Sequence, residues 1–150
     1  MEVYRISSKR YAQKLAASGS ANRWNKRGEL VIYAGSSRSL ATLELVVYRN
    51  AIKPEIDYRV MIISIADSDT LVKNLTTNEL PDNWRKFEAY PALQNIGSEW
   101  HTSRETLILK VPSAVIPYEH NYIINTEHED FNANVQLVST EDYFWDDRLL

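Results

Sequence analysis

Six short runs rich in β-branched and aromatic residues punctuate this chain, at 3–6, 30–34, 58–65, 106–111, 122–125 and 135–138. Residues of this kind fit a pleated, half-buried surface, and six such runs are enough for a sheet-based core. Helical signals are fewer. One covers 9–15. A second runs from 37 to about 49, where Ser36 or Ser37 can cap and Leu40, Leu43, Val46 and Val47 recur at helical spacing. A third, weaker signal covers 92–96. The runs do not alternate in the regular fashion of βαβ units, and neither a Gly-x-Gly-x-x-Gly nor a Walker sequence is present. The pattern predicts an α+β fold, a single mixed α/β domain with a central β core flanked by helices, rather than a doubly wound nucleotide fold.

The 150 residues match the usual size of one domain, and no linker, repeat or low-complexity tract divides them, so 1–150 is expected to be one unit. Seventeen Lys and Arg against 20 Asp and Glu leave a net charge of -3. General attraction to nucleic acid or anionic lipid is therefore disfavoured, while a local basic pocket stays open. With no Cys, a disulfide framework, a thiolate zinc site and a cysteine nucleophile are excluded. The opening Met1-Glu2-Val3-Tyr4-Arg5 carries an acid and no apolar core, so no signal peptide is expected, and the apolar runs are too short to span a bilayer. The expected location is the cytoplasm.

Glu44 is the most informative single residue. On a helix from 37 to about 49 it follows Leu40 and Ala41 by one turn and precedes Val47 and Tyr48 by one turn, so its own face is apolar. No Lys or Arg stands three or four residues away to pair with it, and a carboxylate taken unpaired into an apolar site is costly. Two readings stand: a boundary glutamate that reaches water, or a carboxylate retained for its chemistry.

A polar, basic loop, Asn22-Arg23-Trp24-Asn25-Lys26-Arg27-Gly28, leads into the strand at 30–34. Arg suits a diphosphate because its planar fork donates paired hydrogen bonds, and the neighbouring Trp24 offers a stacking surface; the alternative is a solvated loop with Trp24 packed in the core. Ser113 follows a strand stopped by Pro112 and has no Gly-x-Ser-x-Gly elbow, which suggests a hydrogen-bonding role or a simple turn rather than a nucleophile. His101, His120 and His128 form no i, i+4 pair, and His128-Glu129-Asp130 reads as a solvated turn, so no metal site is expected. In the acidic and aromatic tail, Phe144 or Trp145 is expected to lie against the core.

Taken together, these pieces resemble the RES domain, the toxin half of a bacterial toxin-antitoxin system named for an Arg, a Glu and a Ser. Val3-Tyr4-Arg5 resembles the family's opening strand, Arg23-Trp24-Asn25 its Gly-Arg-Trp-Asn loop, and Ile32-Tyr33-Ala34 followed by Ser39-Leu40-Ala41-Thr42-Leu43-Glu44 its strand and helix. Gly97 with Trp100 and Ser103, the stretch Val111-Pro112-Ser113-Ala114-Val115-Ile116-Pro117, Asn121-Tyr122-Ile123-Ile124-Asn125 and the closing Asp147-Arg148-Leu149 are similar to its second half. In place of the family's Gly-Gly before Arg-Trp, this chain has Ala21-Asn22.

The resemblance implies an ADP-ribosyltransferase-like fold that binds NAD and breaks the bond between nicotinamide and ribose, by hydrolysis or phosphorolysis, or with transfer of ADP-ribose to a protein. It assigns the functional set to Arg23, Tyr33, Glu44 and Ser113. Around NAD it implies Arg5, Arg23, Trp24, Tyr33 and Ser113, with Arg5 as a second anion contact and Ser113 either touching substrate or orienting Glu44. NAD is then a substrate, and no cofactor or metal is implied. The implied partner is a helix-turn-helix antitoxin that occludes the active site and carries the DNA binding; a homodimer within that complex stays open. The competing reading is an NAD-binding or interaction module without turnover.

Overall fold

In the computed structural model, which describes residues 1–47, 53, 55–144 and 146–149, seven strands form one mixed sheet. In chain order they are β1 (Glu2–Ser8), β2 (Val31–Gly35), β3 (Tyr58–Ile65), β4 (Val72–Asn74), β5 (Ile108–Pro112), β6 (His120–Asn125) and β7 (Val135–Asp142). Their order across the sheet is β4-β5-β6-β2-β1-β3-β7. Only the β4–β5 pairing is parallel; the other five are antiparallel. Among the described residues three α-helices accompany the sheet: α1 (Arg38–Val47), α2 (Tyr90–Ser103) and the single turn α3 (Phe131–Asn134).

The central strands read as continuous apolar runs because both of their faces are covered. On β6, Tyr122 and Ile124 join one core with Val3, Ile32, Met61, Ile63 and Ile108, whereas Ile123 between them joins a second core with Trp24, Val31, Leu93, Trp100 and Leu109. This period of two is the strand's own alternation. α2 seals the second face through Leu93 and Trp100.

One seam interrupts the sheet. β1 pairs with β3 along its whole length, from Glu2↔Ser64 to Ser8↔Tyr58, but meets β2 only at Tyr4↔Gly35. Where the next antiparallel rung would reach Tyr33, the Tyr33 carbonyl instead accepts a hydrogen bond from Arg5 Nη1 at 3.0 Å. A side chain replaces a backbone rung, and the strands part.

Several sequence expectations change here. Residues 9–15 form no helix: only a single 3₁₀ turn, Lys9–Tyr11, is present. The Lys9 N–H is tied to the Asp57 carbonyl at 2.8 Å, and Ala12, Leu15 and Ala17 pack onto the first core, so burial overrides a short helical pattern. The helix expected at 92–96 is longer, spanning Tyr90–Ser103; Pro91 sits in its first turn, where its missing N–H is harmless. Ser37 is the cap of α1, its Oγ accepting the Leu40 N–H at 3.0 Å. Tyr48 and Arg49, where the sequence places the end of this helix, lie outside the described residues. Phe144 is 83% exposed and does not lie against the core, because pairing of the two strands ends at Arg59↔Asp142 before it. Trp145 lies outside the described residues.

Candidate active site

The parting of β1 and β2 leaves a cavity of about 580 Å³, walled by both strands, by α1 and by the loop at 22–24. Arg5, Arg23, Trp24, Tyr33 and Glu44 all border it; Ser113 does not. Asn121, to which sequence reasoning gave no role, does.

Glu44 projects from the middle of α1, half-buried. Its Oε1 accepts two hydrogen bonds, from Ser113 Oγ and from Asn121 Nδ2, each at 2.7 Å. Ser113 is 0% exposed, and its Oγ accepts the N–H groups of Val115 and Ile116 at 3.0 and 3.1 Å. With its acceptor positions so engaged, the hydroxyl has its proton left for Glu44. Of the two roles open to Ser113, the structure supports orienting the carboxylate; a residue without exposed surface has none to offer a substrate. No cation lies within ion-pair distance of Glu44 among the described residues.

Two arginines that border the same cavity are likewise held by neutral groups. Arg23 Nη1 donates to the Trp84 carbonyl at 2.9 Å, and the guanidinium carbon lies 4.7 Å from the centre of the Tyr90 ring. Arg5 donates to the Tyr33 carbonyl, and burial lowers its pKa from the ordinary arginine value, opposed by the nearby Tyr33 phenol. Among the described residues, neither has a carboxylate within 4.0 Å. A desolvated cation without a counter-charge is expensive to keep, and an anionic ligand would relieve that cost.

Tyr33 is fixed at both ends. Its Oη donates to Asn25 Oδ1 at 2.5 Å and accepts the Trp24 N–H at 3.0 Å, so the ring presents a fixed surface to the cavity. Asn25, 1% exposed, passes the constraint on by donating to the carbonyls of Ser20 and Lys26. α2 holds the same loop from the other side, with Gln94 donating to the Asn22 carbonyl and Ser98 to the Glu29 carboxylate. The approach is so close at Gly97 that an added Cβ would stand 1.7 Å from the Trp24 carbonyl oxygen. Trp24 itself is 2% exposed and belongs to the second core, so the stacking surface expected of its indole is taken up by protein. Lys26 and Arg27 are exposed and do not line the cavity, so of the three loop cations only Arg23 faces it.

The histidines serve elsewhere. His128 bonds the Arg104 carbonyl at 2.8 Å through Nε2 and accepts the Asp130 N–H at Nδ1, which ties the end of α2 to the 125–130 turn. Contrary to the expectation of a solvated turn, His128 is buried. Among the described residues no group of three or more His, Asp or Glu is placed to hold a metal ion. Within the same residues, no helix is long and apolar enough to cross a membrane.

Comparison with known proteins extends this picture. The model of the RES domain family matches residues 2–146. A Yersinia enterocolitica protein, Toxin Res, is 33% identical over 153 residues, covering 99% of each chain. Prs ADP-ribosylating toxin of a Sphingobium species is 31% identical over 93% of this chain and 88% of its own. Among solved structures, a chain of the M. tuberculosis MbcT-MbcA toxin-antitoxin complex superposes with a TM-score of 0.78 at 19% identity, over 95% of this chain and 83% of that one, so the fold is shared. Matched almost from end to end by the family's model and by toxins of its own length, the chain belongs to the RES domain family and is a toxin of that type.

Proposed function

We propose that this toxin cleaves NAD between nicotinamide and ribose in the cavity between α1 and the 22–24 loop. The observation that carries this is the pairing of opposites across one cavity. Glu44 borders it with one oxygen engaged by neutral donors, and Arg5 and Arg23 border it with no carboxylate within 4.0 Å among the described residues. A dinucleotide presents the matching features, a diphosphate for the cations and a ribose that becomes cationic in the transition state.

Arg23, with Arg5 behind it, binds the diphosphate through its remaining N–H donors and so fixes the ribose against Glu44. Tyr33 packs against nicotinamide or ribose. As the glycosidic C–N bond breaks, its electron pair leaves with neutral nicotinamide and the ribose becomes oxocarbenium-like. The Glu44 carboxylate stabilises that charge, as carboxylates do at glycosidase centres. An acceptor oxygen then bonds to the anomeric carbon and gives up its proton. Nothing in this sequence calls for a metal, since the leaving group departs neutral, and turnover is expected to survive a chelator.

Two readings of the acceptor differ. Water or phosphate would make the toxin an NAD-depleting enzyme; a protein side chain would make it an ADP-ribosyltransferase, a reading favoured by the relative named for ADP-ribosylation. Mass spectrometry of the products from NAD, with and without phosphate and cell lysate, separates them. Absence of nicotinamide release under all three conditions would leave an NAD-binding module. The partner in this reading is a helix-turn-helix antitoxin that covers the cavity and supplies the DNA contacts, which the -3 charge disfavours here. The toxin-antitoxin complex among its structural neighbours supports such a partner.

A further inference from the structure

We infer that Asn121 is a positioning residue for Glu44, one of two neutral donors that together turn a single carboxylate oxygen toward the substrate. An ionised carboxylate accepts on both oxygens. Here both donors fall on Oε1, at 2.7 Å each, and Oε2 has no hydrogen-bond partner among the described residues. Because an ionised carboxylate only accepts, the amide must present its NH₂, and the side-chain orientation of Asn121 follows.

The two donors come from rigid places. Ser113 is fully buried and pinned by the Val115 and Ile116 N–H groups. Asn121 lies on β6 between two partners, opposite Gly35 of β2 and Val111 of β5, so its backbone is held from both sides. Neither donor carries charge, so they fix the carboxylate without neutralising it. A lysine or arginine at position 121 would hold Glu44 as firmly and cancel the charge that stabilises an oxocarbenium-like ribose. The site thus combines fixed geometry with an uncompensated charge, and Asn121 supplies half of the fixing.

The kinetic arm of the test rests on the proposed NAD cleavage; the stability arm does not. Asn121→Ala should lower kcat for nicotinamide release by about tenfold while KM for NAD changes less than about twofold, the signature of an interaction realised in the transition state. In a Glu44→Gln background the same substitution should cost little further. Asn121→Asp, equal in shape but an acceptor facing an acceptor, should be at least as slow as Asn121→Ala, and serves if the alanine variant folds poorly. Denaturant unfolding of Asn121→Ala, Glu44→Ala and the double variant should be non-additive by about tenfold in the unfolding equilibrium constant. A raised KM with kcat kept, or additive unfolding energies, would overturn the assignment. If wild-type protein released no nicotinamide while the unfolding cycle was non-additive, the clamp would stand and the proposed reaction would fall.

Discussion

Charges at the outer edge of the sheet and charges around the cavity are held in opposite ways. Near β7, Arg38 grips Glu141 through two N–H groups at 2.8 and 2.7 Å, and Arg59 pairs with Asp142. Each cation there has an anion. Around the cavity, Arg5, Arg23 and Glu44 are each held by carbonyls, an aromatic ring, a hydroxyl or an amide. Mutual pairing raises the Arg38 pKa and lowers that of Glu141, so those charges are satisfied by each other. Charges held by neutral dipoles keep their field for whatever enters. The edge stabilises a fold, and the cavity stores an unmet demand.

The largest break in this contrast should come from Glu44→Gln. The glutamine carbonyl can still accept from Ser113 and Asn121, so the variant should melt at or above the wild-type temperature. Nicotinamide release should fall at least roughly a hundredfold, because a stabilising charge has gone from the transition state. A variant that melts normally and still turns over NAD would remove Glu44 from the chemistry.

Next in size is Gly97→Ala, at a residue that does not itself line the cavity. Its methyl group would meet the Trp24 carbonyl at 1.7 Å, so α2 or the loop must move. A loss of about 1–3 kcal/mol by denaturant unfolding is expected, as for other overpacked sites. Reduced NAD binding should accompany it, since Arg23 is displaced. Wild-type stability would show that the loop yields freely.

Arg23→Lys sharpens the contrast from the cationic side. An ammonium keeps the charge but not the fork, and KM for NAD should rise about tenfold with a smaller change in kcat. An unchanged KM would place the diphosphate elsewhere.

The smallest effect belongs to the edge. Glu141→Gln should leave nicotinamide release unchanged. Pairing holds the Glu141 carboxyl below its ordinary range, so its contribution to stability is present at neutral pH and is lost as acid protonates it. Wild-type and variant melts should differ slightly at neutral pH and converge in acid; a constant offset across the scan would mean that the pair is not its cause.

These outcomes bear on how much of the molecule its sequence discloses. The six apolar runs all became strands because their residues are buried on one face or both, whereas β4 escaped notice, being only Val72-Lys73-Asn74 against the end of the sheet. α2 runs past the expected 92–96 and through Gly97, whose lack of a side chain permits the close approach to Trp24. In the site, Glu44 was legible as a polar residue on an apolar helical face, and Arg23 as a cation in a loop before a strand. Asn121 was not. Its carboxylate partner stands 77 residues away, and a polar residue at the start of an apolar strand resembles any other strand entrance. The β1–β2 seam was equally hidden, since a strand that pairs once and a strand that pairs five times have the same alternation.

That seam divides the sheet into a four-stranded and a three-stranded half, joined by one backbone register pair and the Arg5 side chain. On one face the halves share a continuous core, with Val3 and Ile63 from one packed among Ile32 and Ile124 from the other. On the opposite face lies the cavity. The line with the fewest backbone pairs in the sheet therefore runs beside the cavity. A dinucleotide gripping Arg5 at the seam and Glu44 across it would act as a staple, and the two halves would then unfold more cooperatively with the ligand than without it.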